Sequence, residues 1–347
     1  MRRVAAMAMV LLLGGCGNLS YYLQSVGGQL EIWRREAPIE RLLEDPAIAS
    51  PLRAQLKRAL RIREYASREL GLPDNRSYRS YADLARPFVV WNVFAAEEFS
   101  VVPRQWCFPL AGCVNYRGYF DEADARAYAR VMAAEGFDVY IGGVPAYSTL
   151  GWFADPVLNT FIHYPEPELA RLLFHELAHQ VVYVKDDTVF NESFAVVVEQ
   201  AGVVRWLAAY GSVADRERYV KLQRYRADFR LMVKQTREEL ARVYASDADP
   251  ATKRRLKAAA FAALKRTHLH RKLEWGGFSG FDRWFAQPLG NAHLASVTIY
   301  TQQVPAFQAL LQAHDYDLPR FYAAVRELAA LPVVERNERL AALTPLL

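Results

Sequence analysis

The sequence lacks an excess of one charge. Its formal net charge is +5 over 347 residues. Two of the positive charges, Arg2 and Arg3, lie in a segment that we expect to be removed. The other basic residues are interspersed with acidic ones, which is typical of solvated helix faces and not of a nucleic-acid groove. We therefore expect no nucleic-acid partner.

The sequence also has little cysteine. The three cysteines of the chain are Cys16, Cys107 and Cys113. Cys107 and Cys113 have no further Cys or His near them in sequence, which argues against a zinc site built on this pair. If Cys16 is lipidated, they are an even pair in an oxidising compartment, and a small-loop disulfide is expected. Two buried free thiols are the alternative.

The N-terminal apolar run, from Val4 to Leu13, is too short to span a bilayer, which needs about 20 residues. With the basic start before it, the run is typical of a signal peptide over residues 1–15. The ending "LGGC" resembles a bacterial lipobox, in which Cys16 becomes the lipidated first residue. A plain secretory signal, or a buried N-terminal segment, is the alternative. By resemblance to lipoprotein sorting rules, Gly17 in place of Asp favours the outer membrane, with the protein facing the periplasm.

Internal repeats and low-complexity tracts are absent as well. Residues 16–37 are expected to form a lipid-anchored tether that includes a short helix, and residues 38–347 a single domain. Strand patterns occur in residues 73–120 and in "FDVYIGGVPAYSTLGWF". Helical patterns are predicted over 38–72, over "DEADARAYARVMAAEG", after Pro167, and over 188–211, 212–275, 293–312 and 317–331. The predicted fold class is α+β, mostly helical, with the strands before two central helices.

The stretch "LLFHELAHQVVYV", residues 172–184, is apolar except for four side chains. His175 and His179 are four apart on a predicted helix, so both rings can reach one zinc ion at about 2.0–2.1 Å. Glu176 is rotated by about 100° from His175, beside the metal, where it can take a proton from the attacking water. A helix with two satisfied core histidines is the alternative, but an unpaired buried Glu176 would cost several kcal/mol. The pattern therefore predicts a site for one zinc ion.

The third ligand is not of the metzincin type, because Val182 and Lys185 occupy the positions that would be Gly and His. The next predicted helix offers "NESFAVVVEQAG", in which Glu192 and Glu199 share one face. "NESFA" resembles the gluzincin N-E-x-x-[AS] element, which makes Glu192 the third ligand. Glu199 is the reserve ligand, a residue that orients a ligand histidine together with Asn191, or one partner of a buried ion pair with Arg.

The chain resembles the bacterial putative aminopeptidase family of lipoprotein zinc peptidases. The resemblance is carried by "CFPLAGCVNYRGYFDEADARAYA", "DVYIGGVPAYSTLGWFADPVLNTFIHYP", "HELAHQ", "NESFA" and "NAHLASV". It implies a zincin-like fold of gluzincin type, with a small sheet before the HExxH helix and one zinc ion. The G-x-M-E-N element of well-known gluzincin aminopeptidases is absent, so the resemblance implies a zinc peptidase more directly than an exopeptidase.

A gluzincin mechanism also needs a donor for the carbonyl oxygen. His293 in "GNAHLASVTIY" is the first candidate and Tyr300 the second, while packing near Asn291 is the alternative role of His293. His268 and His270 lie in a Lys/Arg-rich stretch and are expected at the surface.

By analogy with an edge strand of thermolysin-like enzymes, Ala146, Tyr147 and Ser148 would border the cleft and hold an extended peptide. A core strand is the competing interpretation of this segment.

Two rival functions remain open from the sequence. A catalytically silent envelope lipoprotein could use the same fold to bind peptides or protein partners, but it would have no need of Glu176 as a base. A structural zinc site would usually have four protein ligands, and the motif supplies three.

Overall fold

The computed structural model describes residues 16–108, 112–146, 148–298 and 302–343. The predicted signal peptide, Tyr147 and Tyr300 lie outside the described residues. Within them the fold is α+β and mostly helical, with small sheets before the two central helices, as the sequence predicts. No helix in this part of the chain combines the length and the apolar character needed to cross a membrane.

The N-terminal segment is a helix of 20 residues, longer than the short helix that the sequence predicts. Helix α1 spans Cys16–Arg35 and is followed by β1 (Glu36–Pro38), α2 (Ile39–Glu44) and α3 (Ser50–Arg68). One side of α1 packs on the domain, where Ile32 is 1% exposed. Gly28 lies so close to Phe120 that a Cβ at this position would be 2.0 Å from the ring. Because a side chain would not fit here, the glycine lets the helix approach the domain closely.

In the described part of the chain, eight short strands form three sheets. They are β2 (Ser80–Ala82), β3 (Val90–Ala96), β4 (Trp106–Phe108), β5 (Gly112–Val114), β6 (Arg117–Tyr119), β7 (Asp138–Val144) and β8 (Val157–Leu158), in addition to β1. The central sheet has the order β6-β3-β7 with antiparallel pairs, and every residue of β3 is buried. A second sheet has the order β1-β2-β8. Strands β4 and β5 form a hairpin that the Cys107–Cys113 disulfide closes.

Ten further helices complete the described part of the chain, and most of them build two cores. They are α4 (Glu122–Ala134), α5 (Glu166–Ala178), α6 (Thr188–Tyr210), α7 (Val213–Ala245), α8 (Pro250–Glu274), α9 (Asp282–Phe285), α10 (Asn291–Thr298), α11 (Val304–Ala313), α12 (Leu318–Ala329) and α13 (Val333–Leu343). The main core lies between α3, α5, α6, α11 and α12, and a second core lies between α7, α8 and the segment up to α10.

Two of the long helical predictions are each divided in the structure. The charged stretch 212–275 is two helices, because Asp249 caps α8 through its side chain and Pro250 begins it. The stretch predicted as one helix over 293–312 contains most of α10 and most of α11, and α11 has Pro305 in its first turn. In both cases proline marks the start of the second helix.

Candidate metal centre

Helix α5 presents two imidazoles to the same point. It is buried on most sides, and Leu169, Leu173 and Leu177 are fully buried. The helix ends at Ala178, but His179 keeps a helical backbone conformation as the C-cap. His179 is therefore one turn from His175, and the two Nε2 atoms are 3.2 Å apart.

Glu192 reaches the same point from the first turns of α6. Its Oε2 lies 3.2 Å from Nε2 of His175 and 3.8 Å from Nε2 of His179. The connection between α5 and α6 is short, and Asn191 holds it against the start of α6. The Asn191 side chain accepts a hydrogen bond from the Val184 amide at 2.8 Å and donates one to the Val184 carbonyl at 2.7 Å.

These three side chains fit one metal ion. A tetrahedral ion with bonds of about 2.0–2.1 Å needs donor atoms about 3.3–3.4 Å apart. The separations of 3.2, 3.2 and 3.8 Å are close to this requirement. Two imidazoles and one carboxylate are a common ligand set in proteins. Nδ1 of His179 is buried and has no hydrogen-bond partner in the described chain, so the polar contacts of this ring are made through Nε2. The structure thus supplies a metal-binding triad.

A buried ion-pair chain fixes the other nitrogen of His175. Its Nδ1 lies 3.0 Å from Oε2 of Glu199, and the same oxygen accepts a hydrogen bond from Arg171 at 2.8 Å. Arg171 also donates to Glu168, which accepts from Arg226 at 2.6 Å. Burial alone would raise the pKa of Glu199, but Arg171 and His175 lower it below its usual value. Glu199 is therefore an anion that orients His175 and also pairs with an arginine.

Glu176 lies beside the triad. Its side chain borders the same cavity, and the residue is 8% exposed. Burial raises the pKa of Glu176 to about 7, and the nearby Glu192 adds to the shift. A carboxyl group with this pKa can accept and release a proton near neutral pH.

The triad lies in the wall of a cavity of about 770 Å³. Apolar and aromatic residues of α1, β3, the β4–β5 hairpin and the end of β7 form most of the lining. Tyr116 and Tyr183 border the cavity on the side of Glu192. The pKa of Tyr116 is raised above its usual range, first by burial and then by Glu192, so its hydroxyl group stays protonated.

A sequence profile of the family described as "Putative aminopeptidase" matches residues 20–340. This chain belongs to that family. No curated protein and no solved structure compared with the chain matches it. Membership of the putative aminopeptidase family indicates a peptidase, and the metal-binding triad is compatible with a metallopeptidase.

In this member of the putative aminopeptidase family, the predicted peptide-binding segment reaches the cavity. Val144, Pro145, Ala146 and Ser148 are among the lining residues. Val144 is the last residue of β7, and the other three follow it. In the described part of the chain, β7 is an edge strand of the central sheet. The Ser148 hydroxyl group donates to Asp155, 3.4 Å away, and this contact helps to fix the loop beyond the strand.

His293 is not among the residues that line the cavity. It lies in the first turn of α10, where the Gly290 amide donates to its Nδ1 at 3.2 Å and the Tyr140 ring is 4.3 Å away. Burial lowers the pKa of His293 to about 4. The "NAHLASV" segment instead joins α10 to the sheet, because Asn291 donates to the carbonyls of Glu97 and Glu98. The structure therefore does not bring His293 to the triad.

Tyr116 was not singled out from the sequence. It stands between β5 and β6 in "VNYRGY", a stretch whose pattern indicates only short strands and a turn. The available signal was an aromatic residue with a polar group near the cysteine pair, and this signal is too common to identify a site.

Proposed function

We propose that this protein is a zinc-dependent peptidase held at the bacterial cell envelope by a lipid on Cys16. The observation that carries the proposal is the convergence of His175, His179 and Glu192 beside Glu176 in one cavity. Zinc is the metal of choice because three protein ligands of this kind, with a position left for water or substrate, are typical of catalytic zinc sites.

When bound, zinc would polarise a peptide carbonyl and make a water molecule acidic enough to lose a proton near neutral pH. The carboxylate of Glu176 accepts that proton as the water oxygen adds to the carbonyl carbon. The carbon–nitrogen bond then breaks, and Glu176 returns the proton to the leaving nitrogen. The position of Glu176 in the cavity wall beside the triad suits both halves of this transfer.

Tyr116 is the donor that we propose for the carbonyl oxygen, in place of His293. It lines the same cavity as Glu176 and Glu192, and burial raises its pKa so that the hydroxyl group stays protonated. A neutral donor that is already in position stabilises negative charge as it develops on the oxygen. Tyr183 borders the cavity on the same side and is the second candidate.

The substrate is an extended peptide lying along Val144, Pro145, Ala146 and Ser148, the lining residues at and after the end of the edge strand β7. Among the described lining residues the acidic ones are Glu176, Glu192 and Glu199. Glu176 already serves as the base, Glu192 as a metal ligand and Glu199 as the partner of His175. The cavity thus offers no further carboxylate from these residues to hold a free α-amine, and we propose that peptides with a blocked N-terminus are also cleaved.

The envelope location rests on two observations. "LGGC" before Gly17 resembles a lipobox, and Cys107–Cys113 is a disulfide, which is typical of an oxidising compartment. Placement on the outer membrane, facing the periplasm, follows from Gly17 by resemblance to sorting rules.

The test is a Glu176→Gln variant studied with metal analysis and an unbiased peptide-library digest. Glu166→Gln is the matched control, because it makes the same change on the same helix, where Glu166 pairs with Arg58 and Arg61. We expect Glu176→Gln to lose at least about a hundredfold in hydrolysis and to keep its zinc, and the control to keep both. Comparing free and N-acetylated peptides separates exopeptidase from endopeptidase activity.

Undiminished hydrolysis in Glu176→Gln would contradict the mechanism. Peptide binding without hydrolysis in the parent chain would favour the rival function, a silent envelope lipoprotein that binds peptides or protein partners.

A further inference from the structure

Helix α1 carries an apolar stripe that no described part of the chain covers. Five large side chains are exposed on it: Tyr22, Leu23, Val26, Leu30 and Trp33. At about 100° per residue they fall within an arc of about 100° on one side of the helix. The stripe runs for about 17 Å along the helix axis at about 1.5 Å per residue. A continuous exposed apolar face of this kind marks an interaction surface.

The orientation of the stripe is fixed by the opposite side of α1. Ile32 is buried, and Gly28 lies against Phe120. The Gln24 side chain donates to the Gly118 carbonyl at 3.4 Å and accepts from the Phe120 amide at 3.0 Å. Because these contacts hold the helix, the stripe points away from the domain except at Tyr22, which also borders the cavity.

A neighbouring loop extends the same surface. The Phe153 ring lies 4.9 Å from the Trp33 ring, in an edge-to-face contact. Trp152, the residue before it, is 77% exposed, and Phe153 is exposed as well. Two exposed tryptophans, Trp33 and Trp152, thus belong to one surface formed by α1 and this loop, which we call the α1 face.

We propose that the α1 face lies in the headgroup region of a phospholipid bilayer. The helix begins at Cys16, which the sequence predicts to carry the lipid, so the stripe follows directly after the anchor. Tryptophan and tyrosine are the side chains that favour the interface between lipid and water. Arg34, at the end of the helix, is exposed beside the stripe and can contact anionic headgroups. A helix with one apolar face and a packed opposite side lies on a membrane and does not cross it.

Bilayer contact would place the peptidase cavity at the membrane surface. Tyr22 belongs both to the stripe and to the cavity lining, and Leu150 of the neighbouring loop also lines the cavity. The protein would then act on peptide segments that lie close to the lipid surface. This last step rests on the proposed peptidase activity, whereas the bilayer contact rests only on the proposed lipid anchor at Cys16.

The experiment uses the full chain, produced with its anchor and reconstituted into vesicles of phosphatidylethanolamine and phosphatidylglycerol. A fraction of the phospholipid carries bromine on its acyl chains and quenches nearby tryptophan fluorescence. We expect the tryptophan fluorescence of the vesicle-bound chain to be quenched. The Trp33→Phe/Trp152→Phe variant should lose most of this quenching. Trp284→Phe, which changes a tryptophan of the second core, is the matched control and should keep it.

A second variant tests the stripe by charge. Leu23→Glu/Val26→Glu/Leu30→Glu should abolish quenching of Trp33. The control, Val220→Glu/Leu231→Glu/Leu273→Glu, makes three such changes at exposed apolar residues on α7 and α8 and should leave the quenching unchanged. Thermal unfolding shows whether the two triple variants fold. If the stripe variant does not fold, the tryptophan replacements decide whether the α1 face contacts the bilayer.

Three outcomes would overturn the proposal. The chain could fail to float with the vesicles, or it could float while Trp33 and Trp152 stay unquenched. Light scattering could instead show a dimer that the stripe variant dissociates, which would mean that a second copy covers the α1 face. None of these readouts depends on peptide hydrolysis, so a failure here is distinct from a failure of the proposed peptidase function.

Discussion

His175 is held through both ring nitrogens, and the outer contact can be tested by itself. Glu199 lies 3.0 Å from Nδ1 of His175 and also pairs with Arg171. Replacing Glu199 by Gln removes the charge that orients the ring, so we expect zinc affinity to fall by about 10–100-fold. Competition with a zinc chelator measures the change.

Glu168→Gln is the control for that prediction. Glu168 is the other carboxylate partner of Arg171, and it makes no contact with His175. An equal loss of zinc affinity in both variants would mean that Arg171 matters and that the contact between Glu199 and His175 does not.

Asp155 makes stability depend on pH. Burial raises its pKa from 3.8 to about 6. Between these values the folded chain binds more protons at this site than the unfolded chain, so stability falls as the pH rises through this window. The loss is nearly complete by about pH 7 and amounts to about 3 kcal/mol over the whole titration.

Asp155→Asn removes this dependence and can still accept the hydrogen bond from the Thr149 amide. We expect the free energy of unfolding of the variant to rise by about 2 kcal/mol relative to that of the parent chain between pH 4 and pH 7. Denaturant unfolding at both values measures it. If the free energy of unfolding changed with pH in the same way in both chains, the raised pKa of Asp155 would be contradicted.

At the scale of residues, the sequence predicted the triad because local spacing encodes it. His175 and His179 are one helical turn apart, and Glu192 is marked by a motif on the following helix. His293 and His268 show the limit of such reasoning. His268 was expected at the surface, but it is buried and stacks on Phe285 at 3.8 Å. Whether a lone histidine faces a cavity or packs in a core depends on contacts between distant segments, which spacing does not reveal.

Among the elements, the β4–β5 hairpin gives a test of the cavity wall. The disulfide closes a short loop, and the Cys113 amide donates to Asp186 in the connection after α5. Phe108 and Val114 of the hairpin line the cavity. We expect Cys107→Ser/Cys113→Ser to lower the free energy of unfolding by about 2 kcal/mol and to raise KM, with the zinc content unchanged. An unchanged KM would mean that the hairpin does not shape the peptide-binding surface.

Element boundaries were predicted where a cap or a proline marks them, and missed where packing decides. Helix α4 begins after Asp121, whose side chain accepts from the Ala123 amide, and the sequence pattern identified this helix correctly. Helix α1 was expected to be only a short part of a tether. Its polar residues and paired glycines weaken the helical pattern, and the contacts of Gly28 and Ile32 with distant parts of the chain define its packing.

For the whole molecule, metal binding and folding should be linked, because the triad joins the two central helices of the main core. An ion that binds only the folded chain stabilises it by about 2.7 kcal/mol when free zinc is about a hundred times the dissociation constant. We expect a chelator to lower the midpoint of thermal unfolding and added zinc to restore it. A midpoint of thermal unfolding that neither the chelator nor added zinc changes would contradict the linkage between metal binding and folding.

The most direct test of the account is the metal content of the chain purified without added metal or chelator, measured together with Glu192→Ala. The account predicts about one zinc ion per parent chain and a large loss in the variant, because the carboxylate supplies one of three ligands. A parent chain without metal, or a variant with the same zinc content as the parent, would contradict the claim that His175, His179 and Glu192 hold a catalytic ion.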